Sequence, residues 1–509
     1  MNSGVDINRW DRCVLIGSLA IVIVHIYALI VFGATYWVDG RDYIELAAAM
    51  RSAASLTAFY ATIGQWIYSH LGPGVPVIWV VLQFFPSSWQ WPLLAIFQHA
   101  FAAIALIFAF RTICEFWPSR FHLISLFVLL FLPAYQSFHN ALLTESVTSS
   151  LVLIAFACCL RLSVRGEFGG SCLYVALGAL FVVTQFRSYW GAIIAAMLFC
   201  CLLYRGRLLS RWLPILIITS ISSAVAYPAY RFLETGRFFM PSGGLNFLVA
   251  GFQINPHPSI AVRNLFDTVD FPSSLPRDQK IETGMVMDDV LKLAQFWHEE
   301  GLENAAINRQ AIDLGQALSN DGISVQVSRF LYSLASIGVI VPHLTAGSER
   351  EIFRGYTAQA MFDHQYYYYR WQAWTYDQDY GALFASFFDS DNSNDPALLA
   401  ETGLANAQIR QAFAAYITKL PNRFRDPLEL GMVPPDFWVI LSFVGCALLI
   451  RRLSIVPVFM LCAVAIAFAT AFLFPVGNTR YAVPLLPLYI LSTSIGVSRF
   501  FAGKRVCRS

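Results

Sequence analysis

Charge is what this sequence has least of. Asp, Glu, Lys and Arg make up 13% of the 509 residues, about half the share found in soluble domains. Hydrophobic residues reach 57% and the mean hydropathy is +0.57, which together exclude a water-soluble fold. The formal net charge is only +2, and no acidic or basic tail points to nucleic acid. The ten cysteines include the neighbours Cys158/Cys159 and Cys200/Cys201, but none forms a C-x-x-C pair and none lies between Arg231 and Val433. Neither a zinc site nor a disulfide framework is indicated. Rossmann and P-loop motifs are absent, as are internal repeats or inverted halves of similar hydropathy. The first apolar run, Cys13 to Tyr36, follows Arg9 and Arg12; it is too long for a secretory signal and has no A-x-A-like exit, so it reads as a retained helix.

Long apolar runs are abundant. A span needs about 20 apolar residues, and loops on the cytoplasmic side are enriched in Lys and Arg. Both rules trace one path of about ten spans: Cys13–Tyr36, Trp91–Ile113, Phe121–Tyr135, Val147–Leu160, Cys172–Phe186, Tyr189–Tyr204, Trp212–Tyr230, Phe437–Ile450, Val456–Phe474 and Ala482–Phe501. On this path the clusters Arg111/Arg120, Arg161/Arg165, Arg205/Arg207/Arg211, Arg451/Arg452 and Lys504/Arg505/Arg508 all fall inside. Val75–Phe85 and Phe330–Val341 are apolar but short, and letting either span would invert every later loop, so both read as interfacial or re-entrant. The expected architecture is an all-α polytopic membrane protein. Residues 1–230 form an N-terminal membrane module with its first external segment at 37–90, residues 231–433 a mainly helical extracytoplasmic insertion, and residues 434–509 the last membrane helices. Both termini are expected inside, and any chemistry faces outward.

Three short segments on that outer side carry candidate chemistry. Trp37-Val-Asp39-Gly-Arg41-Asp42-Tyr43 follows the first span and sets Asp39 and Asp42 at the membrane surface. A fixed carboxylate there can take the proton of an attacking hydroxyl, or the stretch can be a solvated loop with aromatic anchors. His139-Asn-Ala-Leu-Leu-Thr144-Glu145-Ser146 lies between spans three and four; Glu145 opens a helix, where it complements the dipole, orients an acceptor or binds a metal. Arg187 stands between two short spans. A charge at that depth needs a partner, and phosphate is a natural one because the guanidinium binds its oxygens bidentately and keeps its proton; snorkelling to the interface is the plainer alternative. Arg480-Tyr481 after span nine adds a second positive group, and His70 could donate to a phosphate or cap a turn.

Taken in order, these motifs resemble the GT-C class of membrane glycosyltransferases, in particular the branch of protein O-mannosyltransferases and the lipid A aminoarabinose transferase. The first external loop of that branch carries D-E-x-x-Y-x-x-x-A; Asp39, Tyr43 and Ala47 match it in register, with Gly40 in place of the second acid and Asp42 as its possible substitute. Pro73-Gly-Val-Pro76, Thr144-Glu145, the stretch from Gly178 to Arg187 with its Arg displaced by two positions, Tyr227 to Asn246, and Arg480-Tyr481-Ala-Val-Pro484-Leu-Leu-Pro487 follow the family's sequence of elements.

The resemblance implies a polyprenyl-phosphate sugar as donor, a glycan, lipid or protein as acceptor, and inverting transfer outside the cytoplasm with Asp39 as base. Asp42 and Glu145 would assist. Arg187, Arg480, His70 and Tyr481 would hold the donor phosphate. Such a donor carries no nucleotide and leaves little need for a metal, although Asp39, Asp42 and Glu145 could jointly bind Mg2+ or Mn2+. The location implied is a bacterial inner membrane with a periplasmic site. The rival reading is a transporter or flippase of lipid-linked saccharides, which would keep its polar residues near the midplane on broken, repeated helices; a third is a scaffold that presents its external segment to partners. Residues 251–433 match no familiar pattern.

Overall fold

The computed structural model describes residues 4–32, 38–53, 72–117, 119–130, 144–165, 170–204, 212–223, 244–336 apart from positions 256 and 286, 455–473 and 485–506, with Ser55, Ala58, Tyr135, His139 and Val225 as single residues. Among them every regular element is a helix. The membrane part contains α1 (Gly4–Phe32), α2 (Val38–Ser52), α3 (Gly74–Leu82), α4 (Ser87–Phe116), α5 (Phe121–Leu130), α6 (Thr144–Arg165), α7 (Ser171–Phe186) and α8 (Ser188–Tyr204). The helical stretch Trp212–Ser223 follows. A second group of helices follows, α9 (Gly244–Ile254), α10 (Ile260–Phe266), α11 (Arg277–Thr283), α12 (Met287–Glu299), α13 (Asn304–Ser319) and α14 (Ile323–Ser336), and α15 (Ile455–Leu473) and α16 (Leu486–Val506) pack against the bundle.

Three helical segments, Asp11–Ile30, Pro92–Phe116 and Thr144–Arg165, are long and apolar enough to cross a bilayer; six shorter apolar helices cover six more of the ten expected runs. The run 437–450 lies outside the described residues. The third run is described over Phe121–Leu130 as α5, and Tyr135 is again helical; positions 131–134 lie outside the described residues. Tyr135 and His139 are buried. Of the two short apolar runs, the first is the nine-residue α3, too short to span. The second belongs to a helix that begins at Ile323, seven residues before the apolar run does.

One end of the bundle is marked by charge. Glu115 at the end of α4 receives Arg161 at 3.0 Å and also pairs with Arg165, both from the end of α6. Arg161 further donates Nε to the Thr112 hydroxyl at 3.0 Å. The last turns of α4 and α6 therefore lie at the same end, the end where the basic loops are expected inside. Gly17 of α1 abuts Phe110 of α4, which brings the start of α1 to that end too. Counting back from Glu115 to His99 along α4, and from Arg161 to Glu145 along α6, is 16 residues each, a rise of about 24 Å. His99 and Glu145 thus stand at one level, near the opposite boundary of a hydrocarbon core about 30 Å thick.

Helices α9 to α13 have a core of their own, built on Leu248, Phe252, Phe266, Leu293, Trp297 and Leu314. Gly315 lets α13 cross α9 closely, since a Cβ there would lie 2.7 Å from Phe247. Asp321 ties this unit together by accepting the Ser259 N–H at 2.6 Å and the Asn255 amide at 2.9 Å.

Candidate active site at the end of the bundle opposite Glu115

α6 begins on a run of hydroxyls and one acid, Thr144-Glu145-Ser146-Val-Thr148-Ser149-Ser150, and all of it is buried. A carboxylate in the first turn is favoured by the positive end of the helix dipole, but Glu145 is only 2% exposed, so it needs a positive partner. Arg187 supplies it from the residue that ends α7. Its backbone leaves the helix in an extended conformation, φ −154° and ψ 115°, which sends the side chain across to α6. Arg187 Nη2 lies 3.1 Å from Glu145 Oε1, Arg187 Nε donates to Thr144 Oγ1 at 2.7 Å, and Thr144 Oγ1 donates to Glu145 Oε2 at 3.2 Å. The three side chains close a ring in which the hydroxyl bridges cation and anion. Arg187, 19% exposed, is the member nearer the surface.

The sequence reading placed Glu145 at the outer surface and gave Arg187 to a phosphate. In the structure Glu145 is recessed and Arg187 is its partner. The pair lies 42 residues apart in sequence, and nothing local announces it.

A second polar group sits beside the first. His25 of α1 and His99 of α4 face each other with their Nδ1 atoms 3.0 Å apart, so one ring donates and the other accepts. His139 packs against both, with ring centroids 5.3 Å and 5.7 Å away, and its Nδ1 is 2.9 Å from Ser146 Oγ. Tyr135 closes edge-on over His139 at 4.7 Å. All three imidazoles are buried. His25 Nε2, His139 Nε2, Thr148 Oγ1 and Ser149 Oγ have no hydrogen-bond partner among the described residues. Buried polar atoms in native proteins are generally satisfied. Sequence reasoning quoted His139 only as part of the Glu145 motif and passed over His25 and His99; the available signal was an ionisable side chain inside each of two apolar runs.

The segment after α1 forms α2. Tyr43, Leu46, Ala47 and Met50 are buried along one face of α2, the spacing of an amphipathic helix. Position 39 is four residues before Tyr43 on that stripe. Asp39 and Asp42 lie in α2, but their side chains are not among those described; His70, Arg480 and Tyr481 lie outside the described residues altogether. α2 packs on α3, and α3 on α4 and α7. At its far end Arg51 donates to the Gln83 carbonyl at 2.9 Å.

The turn before α3 approaches the Arg187 corner very closely. A Cβ on Gly72 would sit 2.5 Å from the Gln185 carbonyl oxygen and 2.9 Å from that of Phe186, and one on Gly74 would sit 2.8 Å from the Phe186 ring. Only glycine admits that approach. The Gly72-Pro73-Gly74 turn, the Arg187 corner and the start of α6 thus form one contiguous site. By contrast, the crevice between α7, α8 and Trp212–Ser223 is lined only by Leu173, Leu177, Leu198, Leu202, Trp212, Ile215 and Leu216, and it offers no group for chemistry. Among the described residues no three His, Cys, Asp or Glu side chains are set to hold a metal; of the acids considered for Mg2+ or Mn2+, only Glu145 has a described side chain, and Arg187 engages it.

No family model matches the chain, and no curated protein matches it. Among solved structures it is similar to the crystal structure of ArnT from Cupriavidus metallidurans bound to undecaprenyl phosphate, at 13% sequence identity over 97% of this chain and 79% of that one, with a TM-score of 0.33.

Proposed function

We propose that this chain is a membrane glycosyltransferase that takes a sugar from a polyprenyl-phosphate carrier and passes it to an acceptor on the outer side of the membrane. The observation that carries the reading is convergence. Three motifs that resemble GT-C elements in sequence, the turn around Pro73, the Thr144-Glu145 start of α6 and the Arg187 corner, are separated by up to about a hundred residues and meet at one end of the bundle, which in this reading is the outer one. A transporter would place such groups on broken helices at the midplane.

In this mechanism Asp39 removes the proton of the acceptor hydroxyl. The oxygen attacks the anomeric carbon, the bond from that carbon to the phosphate oxygen breaks, and the polyprenyl phosphate departs with the electron pair, giving inversion. Arg187, with Arg480, His70 and Tyr481, binds the phosphate. Glu145 serves as a positioning residue: it holds the guanidinium in one geometry before the donor arrives, which lowers the reorganisation needed as charge develops on the leaving group. Asp42 would assist Asp39.

The test is transfer of radiolabelled sugar from a panel of polyprenyl-phosphate donors in proteoliposomes, comparing the natural protein with Asp39→Asn. Donor-dependent product that disappears in a folded variant supports both the activity and the base. Full activity in the variant removes Asp39 from that role; lipid-linked saccharide that crosses the bilayer without being consumed makes the protein a flippase.

A further inference from the structure

We infer that the external unit rests on the outer leaflet through a patch of Ile260, Ile323, Val327 and Phe330, and that its occupant is the acyl region of membrane lipid. On α14 Val325 packs inward against Ala250 and Ile254, but several of the other described apolar side chains face outward. The protein-facing side of the helix also carries polar groups: Arg329 is 8% exposed and donates to Asn320 Oδ1 at 2.9 Å, Ser333 is buried, and Gln326 also donates to Asn320 Oδ1, at 2.7 Å. These bonds gather on the residue that ends α13. The outward side carries Ile323, Val327 and Phe330 at spacings of four and three, all exposed, with Ile323 at 86%. A helix in water turns its apolar stripe inward; one that turns it outward is built for an apolar neighbour.

The patch extends to a second helix. Asp321 binds the Ser259 N–H, which sets the first residue of α10, Ile260, at 77% exposure, near Ile323. At its other end the patch runs into the membrane: the Phe330 ring stacks edge-on against Phe468 of the apolar helix α15, with centroids 5.4 Å apart. This continuity with a membrane helix decides the occupant. α15 exposes Val458 and Leu461, so lipid already borders the element that Phe330 touches. An amphipathic helix lying in the interface buries its apolar face to the acyl boundary. The inference does not depend on the transferase reading.

The experiment uses the full-length protein in nanodiscs whose lipid carries a diazirine at the end of one acyl chain. After photolysis and digestion, lipid adducts are counted on peptides covering 323–330, on the α15 peptide covering 458–461 as a lipid-facing reference, and on 295–300 of α12 as a water-facing one. The expected result is labelling at 323–330 comparable to α15 and roughly tenfold or more above 295–300, as burial at the acyl boundary requires. Replacing Ile323→Asp and Val327→Asp together should lower labelling at 323–330 and leave α15 unchanged. Labelling at the level of 295–300 would overturn the inference. If the double variant does not assemble, the comparison within the natural protein still decides.

Discussion

Replacing Arg187 by Met should cost about 3 kcal/mol of stability, and the size follows from what it leaves behind. At 3.1 Å and an effective dielectric constant of about 20, the attraction between the guanidinium and Glu145 is about 5 kcal/mol. The guanidinium, 19% exposed, recovers part of this as hydration in the reference state. Glu145, at 2%, cannot be rehydrated in the folded protein once its partner is gone, and breaking a buried pair from one side typically costs about 3–5 kcal/mol. The lower end applies because one partner reaches the surface. Glu145→Gln keeps an acceptor for Arg187 Nη2 and removes the charge, so it should cost only about 1.5 kcal/mol, the scale of one charged hydrogen bond. The double variant strands no charge. It should be less destabilised than the sum of the singles by about 2 kcal/mol, roughly 30-fold in the folding equilibrium. Reversible unfolding in mixed micelles of increasing SDS content, followed by near-ultraviolet circular dichroism, measures all three. Additivity within about 0.5 kcal/mol would refute the reasoning, because it would mean that the two side chains do not depend on each other.

The neighbouring contacts give three further tests. Gly72→Ala should destabilise by about 1–3 kcal/mol, and by more than Gly74→Ala, because the new methyl meets backbone oxygens at 2.5 Å and 2.9 Å rather than a ring that can turn; equal thermal midpoints for the two variants would separate the turn from the Arg187 corner. His99→Phe leaves His25 Nδ1 without its partner and should cost about 1–3 kcal/mol, whereas replacing His25 and His99 together should cost less than the sum, read by the same SDS titration. Burial raises the Asp321 pKa, but the bonds from Ser259 and Asn255 outweigh it and hold the carboxyl below its ordinary value. Its contribution is therefore full above the unfolded value of about 3.9 and fades as pH falls through the lower folded value. Hydrogen exchange at the Ser259 amide, corrected for intrinsic rates, should show protection that drops in acid in the natural protein, and weaker, pH-independent protection in Asp321→Asn.

Much of the membrane framework was legible because it depends on single-helix properties. Apolar runs located most of the described helices, and the basic clusters marked one end of the bundle, where Arg161 and Arg165 converge on Glu115. Glu145 and Arg187 were legible as costly charges near a membrane, but not as partners. The pairing depends on how α7 lies across α6 and on the extended backbone at Arg187, neither of which leaves a periodic trace. The imidazole cluster was missed for a similar reason: His25 and His99 are 74 residues apart, and each alone reads as an isolated polar residue in an apolar run. For α14 the limit is of another kind, and residues 337–341 lie outside the described residues. Counting apolar residues in a line found 330–341, while the stripe that is exposed starts at Ile323, and periodicity cannot say which face of an amphipathic helix meets water.

The Glu145–Arg187 pair bears on how the proposed site would bind an anion. A lone arginine near the boundary of the hydrocarbon core is expensive, so an unpaired Arg187 would be drawn toward lipid headgroups or water. Glu145 and Thr144 remove that freedom at the cost of part of the charge. A phosphate arriving at such a corner meets a weaker net field but a donor array already aimed, and the positive end of α6 lies beside it. Affinity for the phosphate in its ground state should therefore be modest, and the benefit should fall on the step in which the leaving phosphate gains charge. If the proposed transfer is observed, Glu145→Gln should lower kcat more than it raises KM. A variant with unchanged kcat and a raised KM would show Glu145 to be acting on donor binding alone.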